Sequence, residues 1–140
     1  MEKKKIAQEF FKRLSTKNVG RIFSFLEDNR GMYTILKFIH EADKDVLAGD
    51  ISKSLNISTA RVAVALTSLK KRNFIEKIKS DDDARKTIVK ITDIGKTALE
   101  ERQNKIIKNI TNLLNKLSNR DSKILLEIIT KLVTSKGSLV

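Results

Sequence analysis

The chain has 140 residues, a formal net charge of +12, no cysteine and no proline, and 40% of its residues are hydrophobic. That is the length of one ordinary domain, and the missing thiols exclude disulfides and cysteine redox chemistry. No apolar run is long enough to span a bilayer and no secretory signal pattern follows Met1, so the expected location is the cytoplasm.

In chain order, Ile6, Phe10, Phe11 and Leu14 form one apolar stripe at helical spacing, and Ile22, Phe23, Phe25 and Leu26 form another. Met32, Ile35, Leu36 and Ile39 predict a core helix. Leu47, Ile51 and Leu55 predict the next, with Asp50 placed to accept hydrogen bonds from its first turn. Asn56 interrupts the pattern, Ile57 fills the corner, and Ser58 suits the N-cap of a further helix. In that helix Val62, Ala65, Leu66 and Leu69 share one face. The opposite face carries Thr59, Arg61, Ala63, Val64, Thr67 and Ser68, all small apart from Arg61, and such a face can approach base edges closely. Lys70, Lys71 and Arg72 close the helix, where cations suit its negative end and can meet phosphates.

The period then changes. Phe74, Ile75 and Ile78 precede a charged tip, Ser80 to Lys86, and Ile88, Val89 and Ile91 follow it; Thr87 to Ile91 is rich in β-branched residues. Two short strands around a charged tip make a hairpin. Thr92 can cap the next helix, and Gly95 in its first turn permits packing too close for a side chain. That helix is marked by Leu99, Ile106, Ile107, Ile110, Leu113, Leu114 and Leu117. Ser118-Asn119 interrupts it, and Asn119 or Asp121 is the expected cap of a last helix carrying Ile124, Leu125, Ile128, Ile129, Leu132 and Val133. Two short helices, a hairpin with a polar tip and the start of a third helix make a winged helix-turn-helix. The fold class is mainly α (α+β), and one element can enter a major groove while the other reaches a neighbouring minor groove.

The wing motif, D-x-R, an apolar strand, then T-x-x-G, reads here as Asp83-Ala84-Arg85, Ile88-Val89-Lys90-Ile91 and Thr92-Asp93-Ile94-Gly95. It resembles that of the MarR family of bacterial transcription regulators. The run S-T-A-R-V-A from Ser58 is similar to the recognition helix of one branch of that family. Asn73 departs from the pattern, standing where members usually place glycine, but asparagine tolerates the left-handed conformation needed there. The resemblance implies a single domain over residues 1–140. Its winged helix-turn-helix core spans about 31–95, with N- and C-terminal dimerisation helices at about 3–27 and 96–135. Packing of the terminal stripes within one monomer is the alternative. A two-fold homodimer would present two recognition helices to successive major grooves of a pseudo-palindromic operator in double-stranded DNA. The resemblance also implies, for many members, a small aromatic effector bound between the dimerisation helices and the DNA-binding lobe.

Nine Lys/Arg and four Asp/Glu fall between residues 61 and 90, so the basic excess is densest over the helix and hairpin. Arg85 at the hairpin tip is the leading candidate. It can insert into a narrow minor groove, with Asp83 holding it by a bidentate contact as the family pattern implies. Arg61 can reach a guanine or a phosphate. Ser58 and Thr59 can bond phosphates or bases, Ala63 and Val64 can meet a thymine methyl, and Thr67 and Ser68 complete the face. Lys53 and Lys86 are candidate phosphate contacts. His40, the only histidine, stands beside Glu41 and Asp43 without the partners a zinc site needs. There is no nucleophile–base constellation and no glycine-rich phosphate loop, so neither cofactor nor catalysis is expected. The reading is a DNA-binding transcription regulator, acting as a repressor. The alternatives are a winged helix used as a protein-interaction module and a charge-driven, non-specific nucleic-acid binder.

Overall fold

The computed structural model describes residues 1–15, 17–28, 31–83 and 85–134; Ala84 of the wing motif and Ser135, the expected end of the last helix, lie outside the described residues. The elements are α1 (Glu2–Leu14), α2 (Lys17–Ile22), a 3-10 turn (Ser24–Leu26), α3 (Met32–Glu41), β1 (Val46–Leu47), α4 (Ala48–Leu55), α5 (Thr59–Lys71), β2 (Ile75–Lys79), β3 (Thr87–Ile91), α6 (Asp93–Leu114) and α7 (Asn119–Thr134). This is the expected winged helix-turn-helix with helices at both ends. It falls into two compact units, residues 1–103 and 104–140.

The first unit has one core. Met32, Ile35, Leu36 and Ile39 of α3 are buried, as are Val62, Ala65, Leu66 and Leu69 of α5; Val46, Ile51, Ile75, Val89 and Leu99 complete the cluster. Both helical sets follow the spacing of one buried face, which is why the periodicity identifies them. Burying each large aliphatic side chain is worth about 1.5–3 kcal/mol, so Ile35, Leu36, Ile51 and Leu69, all without exposed surface, fix the seating of α3, α4 and α5.

The start of α3 is held by a residue the periodicity does not mark. Gly31 precedes the helix with φ 74°, and Asp28 reaches past it. One carboxylate oxygen of Asp28 accepts from the Tyr33 amide at 2.8 Å, and the other accepts from the Thr34 amide at 2.7 Å and the Thr34 hydroxyl at 2.6 Å. A carboxylate there satisfies amides that have no partner within the helix and suits the positive end of its dipole.

The sheet order is β1-β3-β2, antiparallel throughout, with Val46 opposite Val89, Leu47 opposite Ile88 and Ile75 opposite Ile91. Leu47 is therefore a strand residue, not the first turn of a helix. The helix starts one residue later, and Asp50 reaches back to accept from the Leu47 amide at 3.0 Å. In β2 only Ile75 is buried; Glu76 to Lys79 are exposed. The far half of the hairpin thus projects beyond the core as a wing.

Where the wing returns, the chain is tightly jointed. Asn73 takes φ 61°, the left-handed conformation expected of it. Its carbonyl accepts from the Thr92 hydroxyl at 2.6 Å, and the same hydroxyl oxygen accepts from the Gly95 amide at 3.0 Å, capping α6 as anticipated. A Cβ on Gly95 would fall 2.9 Å from the Ile91 side chain and against the Phe74 carbonyl. Further along α6, the Arg102 guanidinium lies 4.4 Å over the Tyr33 ring and donates to the Glu27 carbonyl at 2.9 Å.

In the second unit the cap of α7 is Ser118, whose hydroxyl accepts from the Asp121 amide at 3.1 Å. This corrects the expectation of Asn119 or Asp121, which lie inside the helix. None of the sixteen residues of α7 is buried, and neither is any residue of α1. Phe11 of α1 is 76% exposed and Leu126 of α7 66% exposed.

Candidate nucleic-acid interface

The turn between α4 and α5 is closed by short-range bonds that set the angle of α5. Asn56 adopts φ 52°, the Ile57 amide donates to the Ser52 carbonyl at 3.1 Å, and the Ser52 hydroxyl donates to the Ile57 carbonyl at 2.6 Å. Ile57 packs half-buried against the core. Ser58 then caps α5, its hydroxyl accepting from the Arg61 amide at 3.2 Å.

With Val62, Ala65, Leu66 and Leu69 facing the core, the opposite face of α5 is centred on Ala60, Val64, Thr67 and Lys71, one row at i, i+4, i+7 and i+11. All four are exposed. Ala63 and Arg61 flank the row on either side, and Thr59 lies exposed in the first turn. Ala60 and Lys71 are the two members of this face that the sequence reading did not place there. Stepping 100° per residue from the buried set finds both. Ser68 belongs elsewhere: it is half-buried, and its hydroxyl points to the Met32 sulfur at 3.6 Å. Its polar group is turned toward α3, because its position lies a quarter turn from the centre of the outward row.

The helix-turn-helix and the wing also carry exposed cations. Lys53 on α4, Arg61, Lys70 and Lys71 on α5, Arg72 after it, and Arg85 and Lys86 on the wing are exposed, and among the described residues none of them forms an ion pair. Cations without an ion-pair partner keep their full charge for phosphates.

The wing tip is built differently from the family-derived expectation. Asp83 does not hold the Arg85 guanidinium. Its Oδ1 accepts from the Arg85 backbone amide at 2.9 Å, and its carbonyl accepts from the Lys86 amide at 2.9 Å. The Ser80 amide donates to the Lys86 carbonyl at 3.0 Å and closes the loop. A short aspartate side chain two residues before an amide forms a local turn more readily than it can span to a long guanidinium. Asp83 shapes the tip, and the Arg85 side chain projects from it exposed.

On another surface, Ile39, His40, Asp43, Lys44 and Asp45 line an open groove of about 420 Å³ with Val89, Lys90, Ile91 and Lys96. Its walls mix charges of both signs, a lining suited to water and ions more than to an aromatic molecule.

A protein-family model described as MarR family matches residues 29–86, from just before α3 to the end of the wing tip. Over those residues the winged helix is similar to that of the MarR family. The transcriptional regulator AdcR of Streptococcus pyogenes is 35% identical over 85 residues, 61% of this chain and 57% of that protein. The chain spans 59% and 57% of the lengths of the curated relatives it matches. Among solved structures, Bacillus subtilis YusO superposes with a TM-score of 0.68 at 15% identity, covering 96% of this chain and 94% of that one. A mutant of S. aureus MepR bound to an oligodeoxyribonucleotide superposes with a TM-score of 0.59 at 18% identity, covering 96% and 94%. These likenesses extend the MarR-like fold over nearly the whole chain. Among the described residues no helix is long and apolar enough to cross a membrane.

Proposed function

We propose that this protein is a sequence-specific transcription regulator, acting as a repressor, that binds double-stranded DNA as a homodimer. The observation that carries the reading is the outward face of α5. It is anchored from behind by buried aliphatic residues and exposed in front, and α4, α5 and the wing carry seven exposed cations that form no ion pair among the described residues. A helix of this kind fits a major groove, with the cations meeting phosphates on either side. In this reading Arg85, at the tip shaped by the Asp83 turn, enters the adjacent minor groove. Lys53 and Lys86 serve as phosphate contacts. Ser58 and Thr59 stand at the helix N-terminus, where amides and hydroxyls suit a phosphate.

The homodimer is supported by the apolar stripes of α1 and α7, each of which leaves large side chains open to solvent. Phe10, Phe11 and Leu14 on one and Leu126, Ile128 and Val133 on the other are at least half exposed. Surface of that kind is a characteristic partner for a second copy.

Selection of random duplex DNA by the purified protein at physiological salt tests this. A pseudo-palindrome with half-sites about one helical turn apart is the expected result. Binding without a preferred sequence, lost steadily as salt rises, would overturn it in favour of charge-driven association.

A further inference from the structure

The outward row of α5 has an unusual chemistry for a helix that reads bases. Its first three members are alanine, valine and threonine, with Ala63 beside them. Val64 is 49% exposed, an apolar side chain open to solvent over about half its surface. The Thr67 hydroxyl donates to the Ala63 carbonyl at 2.9 Å, so its proton is committed to the helix and it offers an acceptor oxygen and the γ-methyl. Ser58 is occupied by the cap and Ser68 by the Met32 sulfur. From Thr59 to Lys71 the helix holds no Asn, Gln, Asp, Glu or His. The side chains that pair in bidentate fashion with adenine or accept from cytosine are thus absent from it. The one long polar side chain near the centre is Arg61, on the flank.

We infer that α5 reads its half-site mainly through thymine 5-methyl groups, which pack against the methyl surface of Ala60, Ala63, Val64 and Thr67. In the major groove the thymine methyl is the only apolar feature a base pair presents, and it is the complement of such a face. The row advances along one side of the helix for two turns, so it can meet successive base pairs. Flanking cations hold the helix down but carry no sequence information. Arg61 supplies the one polar contact to a guanine or a phosphate. The inference rests on the regulator reading above and specifies what that regulator recognises: thymines at the centre of each half-site, detected by their methyl groups.

The test begins from the duplex obtained by selection. Each thymine of one half-site is replaced in turn by deoxyuridine, which keeps its pairing and minor-groove edge and lacks only the methyl. Binding is then measured for the wild-type protein and for Val64→Ala, a solvent-facing change that circular dichroism would verify as folded. The expected result is a loss of about three- to fivefold at two or three thymines per half-site for the wild type. At the thymine Val64 covers, that loss should shrink in Val64→Ala, which itself binds the unmodified duplex more weakly. Specific binding that is indifferent to every uridine overturns the inference and leaves the regulator reading intact. Losses that persist undiminished in Val64→Ala would belong to the DNA's own shape and also overturn the role given to this face. Failure to select any sequence would overturn the regulator reading, and this inference with it.

Discussion

Replacing Gly95 by alanine probes the joint between the wing and α6. The added Cβ would lie 2.9 Å from Ile91 Cγ1 and 3.0 Å from the Phe74 carbonyl carbon, with the Phe74 oxygen nearer still. The Ile91 side chain can turn aside. The Phe74 peptide cannot, because its oxygen accepts from the Thr92 amide at 3.0 Å and its own amide donates to the Leu69 carbonyl at 3.0 Å. Relief requires the first turn of α6 to back away, stretching the Thr92–Phe74 bond. Overpacking of this kind costs about 1–3 kcal/mol, and a weakened hydrogen bond adds about 0.5–1.5 kcal/mol. The better helix propensity of alanine offsets at most about 1 kcal/mol. The expected net is about 2 kcal/mol of destabilisation, or a melting temperature lower by roughly 6–10 °C for a chain of this size. Gly49→Ala in α4 is the matched control, since a Cβ there has nothing within 4 Å and should melt at or slightly above the wild-type temperature. Thermal denaturation followed by helical circular dichroism reads both. Equal melting of the two variants would refute the tight joint.

Asp28→Ala should lower stability by about 2 kcal/mol, because three hydrogen bonds at the start of α3 end on one carboxylate. Urea denaturation measures it, and an unchanged midpoint would refute the cap. Arg85→Ala should weaken specific DNA binding by about 1–3 kcal/mol with no change in melting, since the side chain is exposed and unpaired. Equal affinity for the selected duplex would remove the wing from recognition. Ile128→Glu, on the uncovered face of α7, should shift the species seen by light scattering from dimer toward monomer, whereas an intact, soluble dimer would move the interface elsewhere.

The parts of the fold that repeat locally were legible in the sequence. The buried faces of α3 and α5 and the strand Thr87–Ile91 follow from spacing and β-branching, because each depends on neighbours a few residues away. What escaped is decided over longer distances or by geometry. β1 is two residues held by Val89 and Ile88, some forty positions on, and the separation of Leu47 from Ile51 mimics a helical repeat. Asp28 caps a helix beginning four residues later because Gly31 turns the chain back, which composition does not reveal. At the interface, the pattern marked Val64, Thr67 and Arg61 but missed Ala60, and it assigned Ser68 to a face from which Met32 draws it away. Asp83 was recognised as important but for the wrong partner. Its role is set by a backbone amide, and sequence motifs name side chains.

The division of α5 into an anchored side and a bare side has a consequence for how such a protein can change. Val62, Ala65, Leu66 and Leu69 hold the helix in place, while Ala60, Ala63, Val64 and Thr67 are exposed and lie outside the core cluster. Substitutions on the bare side therefore leave folding nearly untouched. If α5 reads DNA as proposed, a descendant can drift to a new operator one residue at a time without passing through an unstable intermediate, and a small library at four positions would retarget the same scaffold.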